Sequence, residues 1–507
     1  MTRSLPVAAA AFLALSPIAM SRAQSPATRP AADSATQLAV AVAADSAAIR
    51  AIVAEGMTRS HVAADLMYLT DVIGPRLTGS AGMRRANDWT ARKFREYRMD
   101  SAWLEPWKFG PSWERGPMTL TLVSPHRRQL QGASWAWAPG TNGVLAGDVV
   151  YMDARTTAEF RQRFAGKLRG KWAMLGAPAP IWNPDGPAMT AADAARRDSI
   201  VRAVSAPPTD PAEQEFRQMR RALAAAEGIA GNIRDAAKEH ALLNMSGSPA
   251  AVSTMPDIVV PHETYTQFYR LLQAGETVRI EADIRNTLGR DSVMQYNTIA
   301  EIRGSERSGE VVLLGAHLDS WDLGTGTSDN ATGSIAVLEA ARILRGAGVK
   351  PKRTIRFALF SGEEEGLYGS QMYADAHRGE MGNVQAVMVL DNGTGRVRGV
   401  ALQGRDEMRD LWRALFAPIA ELGPFVVRSG NKGGTDHLSF VPFGVPTFNF
   451  DQESRGYDHT HHSQSDTFDH AVLDDLRQAA TVMAATAYGL ANLPELLPRR
   501  TRRAASR

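Results

Sequence analysis

The stretch that decides the fold is VVLLGAHLD, residues 311–319, in which six apolar or small residues lead into a histidine and an aspartate. A continuous apolar run of this length predicts a strand that is buried on both faces of a sheet. Residues 334–344 follow with apolar side chains at helical spacing, and residues 354–360 and 386–390 repeat the strand pattern. This alternation predicts an α/β fold with a mostly parallel sheet flanked by helices on both faces.

The same unit extends to both sides of this stretch. Helical patterns near the carboxyl end of the chain complete the α/β unit, and we place the part of this unit that contains the strands at residues 291–495. Residues 46–117 supply its amino-terminal part, with a helical pattern over 61–97 that is broken at 74–80. Glycine, proline and small polar residues make 74–80 a loop.

Residues 118–290 differ in character and predict an inserted, β-rich domain. Short runs of β-forming residues, such as 119–123, are separated by turn residues. Residues 187–243 are rich in alanine, arginine and glutamate, and they predict helices that Pro207 and Pro208 interrupt.

Composition limits the chemistry that the chain can perform. The chain has 507 residues and no cysteine. The length suggests roughly two to four domains, and the lack of cysteine excludes disulfide scaffolds, thiolate catalysis and Cys-ligated zinc or iron–sulfur sites. A hydrophobic content of 44% and a charged content of 22% exclude a largely disordered chain, collagen and a multi-span membrane protein. Any metal would therefore be held by His, Asp and Glu.

The net charge of +3 comes from the two ends of the chain. Residues 1–23 hold two arginines and residues 499–507 hold five, with no acid in either segment, so the remainder carries 50 bases and 54 acids. A nucleic-acid-binding protein carries a basic patch within its fold, so we expect no nucleic-acid partner. We interpret the arginine-rich tail, residues 496–507, as a solvated terminus, with contact to an anionic surface as the alternative.

The amino terminus has the three parts of a secretory signal peptide. Residues 1–23 contain an early arginine, an apolar stretch and small residues before a cut after Ala23. A simple amino-terminal anchor is the alternative, and residues 24–45 are interpreted as a linker. No later stretch approaches the ~18 uncharged apolar residues of a transmembrane helix. The sequence therefore predicts export to the periplasm or the extracellular space, without a stable membrane span.

The strands of the main unit lead into side chains that can bind metal. In chain order these are His317 and Asp319, Asp329, Glu363–Glu365, Asp391 and the histidine-rich loop 458–466. Taken one at a time, these residues have ordinary explanations. His317 and Asp319 could form a surface ion pair, Glu363–Glu365 could be a solvated acidic run, and Asp391 could belong to a turn. Together, carboxylates that converge at the ends of strands would repel one another without a cation. Two histidines and three carboxylates suit one or two divalent metals of the zinc type.

Eight short motifs occur in order along the chain. They are GPRLTGS (74–80), WERG (113–116), GAHLDSWD (315–322), SDN (328–330), GEEEGLYGS (362–370), LD (390–391), GGTD (433–436) and HHSQSDT (461–467). Together they resemble the di-zinc exopeptidases, the family of secreted aminopeptidases and glutamate carboxypeptidases, and within it most closely the plasma glutamate carboxypeptidase branch. The resemblance covers most of the chain after about residue 60. It implies a zinc exopeptidase-like fold, in which the insert at 118–290 is similar to a protease-associated domain.

The resemblance also implies a cofactor and its ligands. It implies two Zn²⁺ ions per chain, with His317 and Asp391 on one ion, Glu364 and His462 on the other, and Asp329 bridging the two. A cis peptide bond is expected after Asp329. Glu363 is implied as the general base that activates a metal-bridged water, and Asp319 as the residue that orients His317. Tyr457 and His461 are the candidate hydrogen-bond donors to the oxyanion.

The function that the resemblance implies is that of an exported zinc-dependent exopeptidase, which hydrolyses dipeptides or short peptides as a carboxypeptidase or dipeptidase. An aminopeptidase that releases amino-terminal residues is the alternative. A single-zinc glutaminyl cyclase and a non-catalytic, receptor-like relative are more remote, because all five ligands and the base are present. The expected partner is a peptide substrate, and a homodimer is possible. Two roles are open for the insert. It covers the site or contacts a dimer partner, or it is an inert solvated domain.

Overall fold

The structure, a computed structural model, describes residues 45–179 and 210–500. The predicted signal peptide at 1–23, nearly all of the linker at 24–45 and the last part of the tail at 501–507 lie outside the described residues. The described residues form two eight-stranded sheets with helices packed on them. No described helix is both long and apolar enough to cross a membrane.

The elements are numbered here in chain order. The strands are β1 Ser101–Glu114, β2 Met118–Ser124, β3 Arg128–Gln129, β4 Ala133–Ser134, β5 Leu145–Tyr151, β6 Trp172–Met174, β7 Gly231–Asp235, β8 Asp257–Val260, β9 Arg279–Ile284, β10 Thr287–Ile302, β11 Arg307–His317, β12 Arg353–Phe360, β13 Val384–Val389, β14 Val397–Ala401, β15 Val426–Arg428 and β16 Thr447–Gln452. The α-helices are α1 Ser46–Thr58, α2 Val62–Met67, α3 Ala81–Glu96, α4 Thr157–Phe164, α5 Pro211–Ala226, α6 His262–Gln273, α7 Thr332–Gly346, α8 Tyr368–Ala376, α9 Arg409–Phe416, α10 Tyr457–Thr460 and α11 Leu473–Ala491. A π-helical turn covers Tyr68–Ile73, a kinked turn with non-helical backbone at Asp329 and Asn330 covers Thr327–Ala331, and the longest 3₁₀ segment is Asp436–Phe443.

The first sheet has the strand order β1-β10-β12-β11-β13-β16-β14-β15. Its centre is parallel, with β11 between β12 and β13 and with β16 beyond β13. The pairs β1–β10, β10–β12 and β14–β16 are antiparallel, so the sheet is mixed. In the central register His317 lies opposite Phe360, and Gly315 lies opposite both Ala358 and Val389. The carboxyl ends of β11, β12 and β13 therefore meet at one edge of the sheet.

Helix α7 lies between this sheet and a layer of helices. Every residue from Thr332 to Leu344 is buried, because apolar residues occur around the whole helix rather than along one stripe. Helices α1, α2 and α11 pack against it. On the other face of the sheet, α8 and the 3₁₀ segment Asp436–Phe443 cover a separate apolar cluster that includes Leu313 and Phe360. Helices thus flank both faces, as the sequence predicts.

The second sheet is built from the described residues between 118 and 284, with the order β3-β2-β9-β5-β6-β7-β8-β4. It has a hydrophobic core of its own, which contains Leu120 and Trp172. The chain enters and leaves this sheet at one place, between β1 and β10. There the backbone N–H of Arg285 donates to the carbonyl of Pro117 at 3.1 Å.

The segment predicted to be helical at 187–243 is helical only in part. Helix α5 ends at Ala226, and residues 231–235 form β7, a strand that lies between β6 and β8. The prediction is wrong for these residues because neighbouring strands, and not local helix propensity, decide their conformation. Gly231 allows the close approach, since a Cβ there would lie 2.5 Å from the Trp172 ring. Residues 187–209 lie outside the described residues.

Two further features differ from expectation. Strand β1 was not predicted, because Pro106 and Pro111 interrupt its β pattern. The strand nevertheless pairs with β10, and the register of the pair shifts between Lys108 and Pro111. The tail predicted as solvated is packed over its first residues: Leu497 is buried, and Arg499 Nη1 donates to the Met381 carbonyl at 2.8 Å. The interpretation of residues 496–507 as a solvated terminus is therefore wrong at Leu497 and Arg499, whereas the Arg500 side chain is half exposed.

Candidate metal centre

The predicted ligands gather where the central strands end. His317 is the last residue of β11, Glu364 follows β12 by four residues, and Asp391 follows β13 by two. Asp329 lies in the turn Thr327–Ala331 before α7, where its own backbone is not helical, and His462 lies just after α10. The parallel strands run in one direction, so the side chains that follow them are delivered to the same edge of the sheet.

A first group of possible ligands surrounds His317, whose side chain is 1% exposed. Its Nε2 atom lies 3.3 Å from Asp391 Oδ1 and 3.4 Å from Asp329 Oδ1. The ligand atoms of these three residues lie within 4.8 Å of one another, close enough to hold one metal ion.

A second group surrounds His462. Its Nε2 atom lies 3.0 Å from Glu364 Oε2 and 3.3 Å from Asp329 Oδ2. Asp329 thus faces the first group with one oxygen and the second group with the other. His461, predicted as a possible oxyanion donor, also lies here: its Nε2 atom is 3.7 Å from Asp329 Oδ2, and its ring stacks on that of His462.

The charges in these groups call for a cation. Burial alone would lower the pKa of His462, but the carboxylates of Glu364 and Asp329 outweigh it and raise the pKa to about 10. Burial likewise opposes the charge on His317, yet Asp391 and Glu363 raise its pKa well above the usual value. The clustered carboxylates thus need positive charge nearby. A divalent cation can take that role.

Two buried oxygens support the same conclusion. Asp329 Oδ2 and Glu364 Oε1 are buried without an aligned hydrogen-bond donor among the described residues. Burial raises the pKa of Glu364 to about 7, and the charge of Asp329 adds to this effect. Buried carboxylate oxygens without donors are costly unless a cation coordinates them. With histidine nitrogens beside them, the donor set fits divalent metals of the zinc type.

Asp319 holds His317 in a way that the sequence did not specify. The Nδ1–H of His317 donates to the backbone carbonyl of Asp319 at 3.0 Å, whereas the Asp319 carboxylate lies 3.7 Å away. This contact fixes the ring so that the Nε2 atom faces the carboxylates of Asp329 and Asp391. The Asp319 carboxylate instead accepts from Thr78 Oγ1 at 3.1 Å and from the Glu364 N–H at 3.2 Å.

The loop that carries Asp329 is held from two sides. Asp466 accepts hydrogen bonds from the Ser328 N–H at 2.6 Å, the Ser328 hydroxyl at 2.7 Å and the Asp329 N–H at 3.1 Å. Asn330 donates to the Leu390 carbonyl at 2.9 Å, beside Asp391. The peptide bond between Asp329 and Asn330 is cis, as expected. Sequence reasoning gave Asp466 no role, and its position four residues after His462 was the available signal.

A cavity of about 420 Å³ opens above both groups. Glu363 lines it together with Gly366, Leu367 and Tyr457. Burial raises the pKa of Glu363 well above its usual value; His317 opposes this shift. Burial, followed by the charges of nearby carboxylates, also raises the pKa of Tyr457, so its phenol stays protonated.

The second sheet contributes backbone contacts to the loop of His462. The Met245 N–H donates to the His462 carbonyl at 2.9 Å, and the Leu243 N–H donates to Gln464 Oε1 at 2.8 Å. His462 has φ of +58°, a conformation that few residues other than glycine adopt. Lys238 Nζ donates to the Asp458 carbonyl at 2.5 Å. The insert therefore lies directly against the loop that carries a candidate ligand.

Comparisons with known proteins concern the family and the fold. Residues 297–487 match the family model for peptidase family M28. The chain is 28% identical to carboxypeptidase Q of Bos taurus over 444 residues, and 27% identical to carboxypeptidase Q of Homo sapiens over 442 residues; each alignment covers 86% of both chains. These matches confirm the resemblance seen in the motifs.

Solved structures show the same fold. The peptidase M28 precursor from Shewanella amazonensis SB2B is 26% identical, with a TM-score of 0.72 over 91% of this chain and 100% of that chain. A zinc aminopeptidase from Bacillus subtilis is 20% identical, with a TM-score of 0.60 over 84% of this chain and 94% of that chain. The second likeness concerns the fold alone.

Proposed function

We propose that this chain, a zinc metallopeptidase of family M28 in its residues 297–487, is an exopeptidase that hydrolyses dipeptides or short peptides at their free carboxyl end. One observation carries the proposal. Asp329 belongs to the group of His317 and Asp391 and also contacts His462, which in turn contacts Glu364, and members of both groups line the cavity that Glu363 lines. The likeness to carboxypeptidase Q over 86% of the chain favours this polarity.

The proposed cofactor is a pair of Zn²⁺ ions. His317, Asp329 and Asp391 would hold one ion, and Asp329, Glu364 and His462 the other. When bound, zinc supplies Lewis acidity, which polarises a scissile carbonyl and lowers the pKa of water from about 15.7 to roughly 7. Elemental analysis of the purified protein tests the number: two zinc ions per chain support the proposal, one favours a cyclase-like site, and none favours a non-catalytic relative.

Glu363 is the proposed general base. It lines the cavity beside the ligands but belongs to neither group. From that position its carboxylate can accept a proton from the attacking water and return it to the leaving amine. A transfer in both directions is most efficient when the pKa of the carrier is near the working pH, and the raised pKa of Glu363 supports this role.

Tyr457 is the better supported oxyanion donor. Its protonated phenol lines the cavity, and its ring packs on Gly393, where a Cβ would lie 3.1 Å from Tyr457 Cδ2. A donor at the oxyanion stabilises charge that develops only in the transition state. His461 is the alternative; its Nε2 atom lies 3.7 Å from Asp329 Oδ2, and the phenol of Tyr457 also hydrogen-bonds to Asp329, so it is the protonated state of the phenol that favours Tyr457. Tyr457→Phe should therefore lower kcat more than KM, and His461→Phe should not.

Substrate polarity is tested with chemically blocked dipeptides. Of the residues that the structure describes, four carboxylates and no lysine or arginine line the cavity, an observation that favours an ammonium group and thus the aminopeptidase alternative. Purified protein is offered a free dipeptide, its N-acetyl form and its C-terminal amide. Loss of cleavage on amidation alone supports a carboxypeptidase. Loss on N-acetylation alone overturns it in favour of an aminopeptidase.

We also propose that the insert is similar to a protease-associated domain and covers one side of the site, and that the chain is exported. The contacts of Met245 and Leu243 with the loop of His462 support the first proposal. The signal-like composition of residues 1–23 supports the second. Amino-terminal sequencing of protein recovered outside the cytoplasm should begin at Gln24; a start at Met1 would contradict cleavage.

A further inference from the structure

Arg76, in the GPRLTGS motif, has a buried side chain for which the proposed reaction gives no role. Its side chain is fully buried. The guanidinium donates four hydrogen bonds, all to backbone carbonyls: Nε to Leu318 at 2.7 Å, Nη1 to Thr325 at 2.7 Å and to Gly74 at 3.1 Å, and Nη2 to Gly326 at 2.7 Å. Among the described residues, no carboxylate oxygen lies within 4 Å of it.

Three of these carbonyls belong to the segments that carry proposed ligands. Leu318 stands directly after His317, and Thr325 and Gly326 lead into the turn of Asp329. The guanidinium thus joins the end of β11 to the loop before α7. The main chain adds to this contact, since the Arg76 N–H donates to the Ser320 hydroxyl at 3.2 Å.

Gly326 shows how closely the two segments approach. Its φ is +62°, and a Cβ there would lie 2.2 Å from Ser320 Cβ and 2.8 Å from Arg76 Nη2. The loop can accept the guanidinium only because this position has no side chain.

The charge of Arg76 also acts on the site. Burial lowers the pKa of Arg76 to about 10, so the guanidinium stays positive at neutral pH. Carbonyl oxygens satisfy its N–H groups without neutralising it. The carboxylates that act on it at longer range are those of Asp466, Asp319, Asp329 and Glu364. A fixed positive charge here offsets part of their mutual repulsion.

We propose that Arg76 is a positioning residue of the metal centre, which sets the separation of His317 and Asp329 by joining the backbones on which they stand. The inference rests on the zinc site of the proposed function. Lysine keeps the charge at this position but has one nitrogen, which cannot reach carbonyls on three sides as the planar guanidinium does. Arg76→Lys should therefore retain the fold and weaken zinc binding.

The experiment compares the zinc affinity of wild type, Arg76→Lys and a matched control, Arg353→Lys. Arg353 is also fully buried and also donates to carbonyls, with Nη1 3.3 Å from that of Ala491, but it lies at the opposite end of β12. Affinity is measured by competition with a chelator of known zinc affinity, and the melting temperature of each metal-free protein is recorded. The visible spectrum of the Co²⁺ form reports the ligand geometry.

The expected result is a 10–100-fold weaker zinc affinity for Arg76→Lys, the size typical of changes in groups that orient metal ligands. Its Co²⁺ spectrum should change, and excess zinc should restore kcat with KM unaltered. Arg353→Lys should lower the melting temperature but leave zinc affinity within about threefold of wild type. Equal zinc affinity in Arg76→Lys and Arg353→Lys would overturn the proposal. A wild type that binds no zinc would instead refute the proposed function.

A second pair of variants applies if Arg76→Lys does not fold. Gly326→Ala pushes on the guanidinium but keeps it. Gly348→Ala is the control, because its φ is +67° and no atom of the described part of the chain lies within 4 Å of its Cβ position. Weaker zinc binding in Gly326→Ala alone supports the proposal. Equal binding in the two variants, or failure of both Arg76→Lys and Gly326→Ala to fold, shows a purely structural role and overturns it.

Discussion

Substituting Glu363 with glutamine removes the proposed proton acceptor and leaves every proposed metal ligand in place. The amide has the shape of the carboxylate, so the cavity lining is preserved. General base catalysis contributes about 10²–10⁴-fold to a rate, equivalent to roughly 2.7–5.4 kcal/mol in the barrier. We expect kcat to fall by that factor, with zinc content unchanged.

The metal-free protein supplies an independent readout of the same change. Burial opposes the ionisation of Glu363, and the charges of Asp391 and Asp436 add to that effect. Glutamine has no charge to bury at this position, so the melting temperature of metal-free Glu363→Gln should be equal to that of wild type or higher. A fall in activity that comes from misfolding would lower it.

The assay measures kcat and KM on a free dipeptide, with zinc per chain measured on the same samples. Glu365→Gln is the matched control, since Glu365 is a buried neighbour whose burial raises its pKa, and it does not line the cavity. The control should keep activity within about threefold, because glutamine resembles the protonated acid. Turnover of Glu363→Gln near the wild-type value, with zinc bound, would refute the assignment of the base.

Three other changes test separate parts of the molecule. Asp329→Asn should leave well below one zinc ion per chain by elemental analysis, because Asp329 serves both ligand groups; one full equivalent would show that the groups are independent. Gly362→Ala should lower the free energy of unfolding, measured in urea, by about 1–3 kcal/mol, because a Cβ would lie 2.8 Å from Trp107 at a φ of +77°. An unchanged urea concentration at the unfolding midpoint would contradict this expectation. The contact with Glu105 raises the pKa of His377, so its stabilisation is present below about pH 6.5 and lost as the pH rises through the raised value. His377→Gln should therefore destabilise at about pH 6 and be neutral at about pH 9, and an equal loss at both would count against the ion pair.

The parallel centre of the first sheet was predictable because its strands are apolar on both faces. The local sequence of β11 is enough to predict it as a strand, without its neighbours in the sheet. β1 and β7 depend on their partners instead: prolines interrupt the first, and the second follows an alanine- and arginine-rich helix. Their conformation is decided by pairing with β10 and with β6 and β8, which no local pattern contains.

The candidate ligands were predictable for a related reason, since each follows a recognisable strand or lies in a recognisable motif. The residues that hold them were not. Arg76 bonds to the Gly326 carbonyl across 250 positions, and Asp466 bonds to Ser328 across 138. Nearly every residue has a backbone carbonyl and a backbone N–H group. The type of the residue whose backbone takes part in such a contact therefore does not reveal the contact in the sequence.

The place where the second sheet joins the first has a consequence for how such a protein can diversify. Because the chain leaves and returns at Pro117 and Arg285, whose backbones are hydrogen-bonded, the whole insert behaves as a cassette. Its exchange would lengthen no connection within the first sheet. The cassette nevertheless touches the loop of His462 through Met245. Natural or engineered replacement would therefore reshape the mouth of the cavity while the strands that end at the candidate metal centre keep their inherited register.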